Sequence, residues 1–189
     1  MDLILIRHPA VDVAAGVCYG QTDVPLLDDV AGSARALLAR MEALGVPVCI
    51  GEWLTSPLGR CRLMAEALGP ARSDPRLQEL DFGAWEGQNW DAIDRATLNA
   101  WAADLQHARA HGGESLAQFT QRVTQWFDDV SARSSSPVHV MTHAGVIRVL
   151  TGYLLGVEPS SAIQWPLDFA AIVWLRRVGR EWLLVRWNA

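Results

Sequence analysis

Lysine is absent from this chain, and all 16 of its basic side chains are arginine. That excludes a Walker-type phosphate lysine, Schiff-base chemistry and a Ser-Lys dyad. Cysteine is scarce: Cys18, Cys49 and Cys61 are an odd number without metal-ligand spacing, so neither a disulfide framework nor a zinc site is expected, and each reads as an ordinary buried thiol. Hydrophobic runs are short of a bilayer span, and the first is cut by Arg7 without a basic leader or a small-residue cleavage site. The expectation is a cytoplasmic protein with no membrane partner. Positive charge is also in deficit, with a formal net charge of −5 and no basic helix, which argues against a nucleic-acid partner. Half of the 189 residues are hydrophobic, enough for a full core and most simply one domain over 1–189.

Three strand-like runs each end in a polar cluster carrying arginine or histidine. Leu3-Ile4-Leu5-Ile6 reads as a buried strand and delivers Arg7-His8 into a loop. A second apolar run, Val48 to Leu54, leads into Thr55-Ser56-Pro57-Leu58-Gly59-Arg60, and a third, Val138 to Met141, into Thr142-His143-Ala144-Gly145. Helical spacing over Asp29 to Leu44, Pro57 to Leu68 and Gly145 to Leu155 supplies crossovers, with Ser56 as N-cap and Pro57 in the first helical position of the second. Further helices are expected over Asp91 to Arg109 and up to Arg133, then a hairpin of Ala171 to Leu175 with Trp182 to Trp187. The fold class is therefore α/β, a three-layer α/β/α sandwich with a mostly parallel central sheet. In such a sheet the strand ends share one edge, so Arg7, His8, Arg60 and His143 converge although far apart in sequence.

Each residue alone would have a bland explanation. Arg60 would be a helix salt bridge, Glu79 a solvated loop carboxylate and His143 a strand-end histidine; Arg62 stays in that class. His107 and His111 read as surface and His139 as strand interior. Convergence favours chemistry instead. Histidine is a nucleophile toward phosphorus, and guanidinium groups offer paired donors to phosphate oxygens. Loops at Pro9 to Asp28 and Gly69 to Asn89 would cover the site; Trp85 in the second and Trp90 just after it are candidates to line a pocket, and Gln21, Trp85 and, on the last crossover helix, Arg148 are candidate substrate contacts.

The blocks Arg7-His8, Thr55-Ser56-Pro57-Leu58-Gly59-Arg60, Glu79-Leu80-Asp81-Phe82-Gly83 and Thr142-His143-Ala144-Gly145, in this order, resemble the signature of the histidine phosphatase superfamily, the phosphoglycerate-mutase-like proteins. The resemblance implies catalytic His8, Glu79, His143, Arg7 and Arg60: His8 attacks phosphorus, Glu79 serves as acid and then base, and Arg7, Arg60 and a protonated His143 hold the phosphate. Gln21 and Trp85 are added as substrate contacts, with no metal and no cofactor. The expected partner is a small-molecule phosphomonoester, and a homodimer is compatible with this reading.

Val17-Cys18-Tyr19-Gly20-Gln21-Thr22-Asp23, Leu80-Asp81-Phe82-Gly83-Ala84-Trp85-Glu86-Gly87 and Gly112-Gly113-Glu114-Ser115 further resemble the α-ribazole phosphatase branch, implying α-ribazole 5′-phosphate and cobalamin biosynthesis. The alternative is a broad-specificity phosphatase. A phosphoglycerate mutase would carry extra segments around the site, a phosphohistidine protein phosphatase would be shorter and lack the Glu79 loop, and an inactive phosphate-binding protein would be expected to have lost His8 or Glu79. Two positions depart from the family pattern. Pro9 replaces the usual glycine and removes a backbone N–H. Ala14 stands where many members place an asparagine, leaving Gln21 or a backbone amide to substitute.

Overall fold

The computed structural model describes residues 1–48, 51–134 and 137–189. Cys49, expected to be a buried thiol, and the Ser135-Ser136 part of the connector before the third apolar run lie outside them. One six-stranded sheet has the order β3-β2-β4-β1-β5-β6, formed by β1 (Asp2–Arg7), β2 (Glu52–Thr55), β3 (Ala71–Ser73), β4 (Val138–Thr142), β5 (Ile172–Val178) and β6 (Glu181–Arg186). β3, β2, β4 and β1 run parallel, while β5 joins β1 antiparallel and forms the terminal hairpin with β6. The mostly parallel α/β sandwich is as the sequence implies.

The alternation of β1 builds two cores at once. Leu3 and Leu5 face a layer made by α4 (Leu116–Arg133) and α5 (Ala144–Leu155). Ile4 and Ile6 face the opposite layer, made by α1 (Val30–Ala43) and α2 (Gly59–Leu68). A strand buried on both faces has no polar positions to spare, hence its unbroken apolar run. α1 starts where expected, with the Asp29 carboxylate accepting the Gly32 N–H at 2.6 Å. α4 carries a complete capping box between Ser115 and Gln118.

Two boundaries depart from expectation. α2 begins two residues late, with Leu58 as the capping residue. The Ser56 hydroxyl is committed to His143, and the orphan Gly59 N–H is met instead by Asp23 at 2.8 Å. The helix expected over Asp91 to Arg109 contracts to α3 (Arg95–Ala103), capped by Asp94, because Asn89 first caps a separate 3-10 turn at Trp90–Ala92. The last helix, α6 (Pro159–Ala162), is a single turn.

A small third core sits over the sheet edge. Cys18, Trp85 and Ile93 are buried there against Phe82, Trp90, Leu98 and Trp101. This corrects two expectations. Trp85, proposed as a substrate contact, is only 5% exposed and packs within 5.5 Å of the Trp101 ring and 4.9 Å of His111, ring centre to ring centre. His111, expected at the surface, is 1% exposed. It stands among Phe82, Trp85 and Trp101, its Nδ1 accepts the Gly113 N–H at 3.1 Å, and its carbonyl accepts the Ala84 N–H at 2.8 Å. His139 lies in the strand interior as expected, stacked on Trp53.

Candidate active site

β1 and β4 are hydrogen-bonded neighbours, and the His8 N–H donates to the Thr142 carbonyl at 3.0 Å, so the ends of these strands place His8 and His143 side by side. Their ring centres are 5.3 Å apart. His8 Nδ1 is 2.7 Å from the Pro9 carbonyl oxygen, an acceptor only, so Nδ1 carries the proton and Nε2 keeps its lone pair. Burial is the main cause that lowers the His8 pKa to about 3, with Arg60 and Arg7 acting in the same direction and the Pro9 contact against it. A neutral imidazole with a free Nε2 is a nucleophile. Proline at position 9 thus leaves a carbonyl that fixes the tautomer.

Two guanidinium groups flank this ring. Arg60 is buried and donates to the carbonyls of Gly20 at 2.6 Å and Thr22 at 2.8 Å. Gly20 is required by space: it has φ +25°, and a Cβ there would lie 2.3 Å from Glu86 Oε1 and 2.6 Å from the Leu80 carbonyl. Arg7 donates to the Leu167 carbonyl and lies 3.9 Å over the Phe169 ring, which holds the guanidinium in one orientation.

His143 is fully buried, and its pKa is pushed well below the ordinary histidine value, first by burial and then by Arg60, His8, Arg122 and Arg7. The protonated state expected from sequence is therefore not the one that the protein groups favour by themselves. Its Nε2 lies 2.8 Å from Ser56 Oγ, which accepts the Leu58 N–H at 3.3 Å. A hydroxyl can donate to the neutral ring or accept from the cation, so Ser56 suits either state.

Glu79 stands across this pocket. Its Oε1 accepts the Leu80 N–H at 3.0 Å and its Oε2 the Gly145 N–H, at the start of α5, at 3.1 Å. A carbonyl clamp holds the loop: Arg122 on α4 donates to the backbone oxygens of Arg76, Gln78 and Glu79, and pairs with Glu114 at 2.6 Å. Thr142 Oγ1 donates to the Leu77 carbonyl at 2.8 Å. Gln21 donates to the Glu79 carbonyl at 3.0 Å, so its amide braces the loop. Arg122 and Glu86 went unrecognised in the sequence. Arg122 had a signal, because it occupies the spacing of Phe119 and Trp126 on the buried face of α4. Glu86 joins the loops by accepting the N–H groups of Gln21, Thr22 and Phe82, with no periodic pattern to expose it.

Arg7, His8, Cys18, Tyr19, Gly20 and Glu79 line a cavity of about 170 Å³. A larger, apolar chamber of about 320 Å³ adjoins it, and Glu79 and Phe82 belong to the walls of both. Among the described residues no group of three or more His, Cys, Asp or Glu side chains is placed to hold a metal ion. No helix among them is long and apolar enough to cross a membrane. Arg62, expected to be solvated, is exposed and pairs with Glu66 on the same helix.

The chain is similar to known proteins along nearly its whole length. The sequence model of the histidine phosphatase superfamily (branch 1) matches residues 3–189. The chain is 30% identical to a glucosyl-3-phosphoglycerate phosphatase of Mycolicibacterium vanbaalenii, over 99% of this chain and 94% of that protein. Its structure is similar to that of an α-ribazole phosphatase from Shigella flexneri, with TM-score 0.88 and 25% identity over 100% of this chain and 96% of the other. A mycobacterial glucosyl-3-phosphoglycerate phosphatase in complex with VO3 gives TM-score 0.83 and 28% identity, covering 100% and 98% of the two chains. With the family model covering nearly all of the chain and a relative 30% identical over almost its whole length, the chain belongs to the histidine phosphatase superfamily, branch 1.

Proposed function

We propose that this phosphatase hydrolyses a small phosphomonoester through a phosphohistidine on His8, with α-ribazole 5′-phosphate as the leading substrate. In the first half-reaction His8 Nε2 forms a bond to phosphorus as the ester P–O bond breaks, and Glu79 gives its proton to the departing oxygen. In the second, Glu79 takes a proton from water, the water oxygen bonds to phosphorus, and the P–N bond breaks to restore His8. Arg7, Arg60 and His143 hold the non-bridging oxygens. His143 takes up its proton with the phosphate dianion, whose charge offsets that of the neighbouring arginines.

The observation that carries the substrate reading is the apolar chamber behind Glu79, where the leaving group of an ester held at His8 would go. Phe82 and Trp101 offer aromatic faces to a planar base there, in place of the buried Trp85, and Tyr19 lines the phosphate side. The α-ribazole phosphatase of similar fold supports the same choice. Rapid quench with labelled substrate tests the chemistry: an acid-labile, alkali-stable adduct is expected on His8, and label on another residue, or full activity in His8→Ala, refutes it. Relative kcat/KM tests the substrate. α-Ribazole 5′-phosphate is expected to exceed phosphoserine, 3-phosphoglycerate and glucosyl-3-phosphoglycerate, and a flat profile assigns the protein to the broad-specificity alternative instead.

A further inference from the structure

The chamber behind Glu79 holds a cation that the phosphate chemistry does not use. Arg148 lies on α5 three residues after Gly145, so both face the chamber, and its Nε donates to the Trp165 carbonyl at 2.7 Å. Among the described residues its two terminal nitrogens have no hydrogen-bond acceptor, and no carboxylate pairs with it. The other walls are largely apolar, including Leu80, Phe82, Trp101, Leu105, Leu116 and Ile163. Glu114 also borders the chamber, but both its oxygens are taken by Arg122. Glu79 is near enough to offset part of the cost of burying Arg148, yet it forms no ion pair with it.

The terminal nitrogens of Arg148 are open to the chamber, so they are available to donate to an acceptor that enters it, and burial of a ligand there would strengthen such a pair. We propose that Arg148 is a specificity residue that binds a carboxylate on the leaving group, so that between aromatic esters of similar size the enzyme prefers the one bearing an acid at the end remote from phosphorus. This rests on the phosphomonoesterase reading and extends it beyond uncharged leaving groups. Size agrees: an apolar cavity of about 150 Å³ admits benzene, and the 320 Å³ present here leaves room for a substituted ring. The two free nitrogens of a guanidinium match the two oxygens of a carboxylate.

The test compares 3-carboxyphenyl phosphate with phenyl phosphate, esters of nearly equal leaving-group acidity. Wild type is expected to favour the carboxylated ester in kcat/KM by about tenfold or more, chiefly through KM, as befits a charge-assisted pair. R148M keeps the aliphatic stem and should bring the ratio near one. R148Q, which keeps a donor for the Trp165 carbonyl, should do the same if the methionine variant folds poorly. A wild-type ratio near one, or a ratio that either folded variant leaves unchanged, overturns the assignment. Phenyl phosphate turnover reads the underlying chemistry separately. If wild type hydrolyses neither ester the phosphatase reading fails with it, whereas equal turnover of both removes only the role of Arg148.

Discussion

Gly145→Ala tests whether Glu79 must stand where the α5 N-terminus puts it. A methyl group at position 145 would lie 2.2 Å from Glu79 Oε1, and 3.2 Å from the edge of the Phe119 ring. Non-bonded carbon and oxygen settle at roughly 3.3 Å or beyond, so the carboxylate must retreat by about 1 Å. The Gly145 N–H bond to Oε2 would be strained or lost with it. A misplacement of about 1 Å can cost on the order of 10²-fold in rate when the group transfers a proton in the transition state. The loss should depend on the leaving group: about 10²-fold in kcat/KM for an alkyl ester such as glycerol phosphate, and only a few-fold for 4-nitrophenyl phosphate, whose phenolate departs without help. Stability should not follow activity. Position 145 is helical, and alanine there is better than glycine by about 0.5–1 kcal/mol in propensity. Paired assays on the two esters with a thermal melt decide the matter. An alkyl ester rate within twofold of wild type, or losses equal on both esters and matched by a lower Tm, would refute the reasoning.

Glu79→Gln should resemble Gly145→Ala in leaving-group dependence but exceed it in size, since no proton remains to give; equal losses on alkyl and aryl esters would reduce Glu79 to a loop support. The histidines make a pH prediction. His8 is neutral in the native state down to about pH 3, and His111, His139 and His143 are also lowered, so between pH 7 and 5 the unfolded chain binds more protons than the native one and stability rises with pH. For His8 alone the loss from pH 7 to pH 5 is about 2 kcal/mol. Urea unfolding at both pH values checks it, and equal stabilities would show that these rings are not held neutral.

The sheet and its reactive edge were legible because burial on both faces leaves an uninterrupted apolar run, and the run in β1 stops at the first charged residue, Arg7. Arg7, His8, Arg60 and His143 could be placed together because parallel strands share an edge. Much of what the sequence did not disclose lies in the loops. The surface expectation for His111 and the pocket expectation for Trp85 failed for one reason: an aperiodic segment gives no sign of whether it folds back on itself, and this one closes around four aromatic rings. The start of α2 was misjudged because local capping preference was overridden by the demand of His143 for the Ser56 hydroxyl. Gln21, expected to contact substrate, has its amide donating to the Glu79 carbonyl, a tie between two loops that no sequence pattern announces.

The position of β1 between β4 and β5 has a consequence for biosynthesis. Both of its partners come from residues 138 onward, so the strand that leads into His8 finds neither neighbour until more than 130 further residues have been made. At roughly 5–20 residues per second that interval is on the order of ten seconds. Throughout it Leu3-Ile4-Leu5-Ile6 has both edges unpaired, and the face of Leu3 and Leu5 waits for α4 and α5 although α1 and α2 can already cover Ile4 and Ile6; unpaired edges of this kind make nascent chains prone to aggregate. This strand is made well before either sheet partner and can be seated only late, so those four residues are where shelter of the nascent chain would matter most.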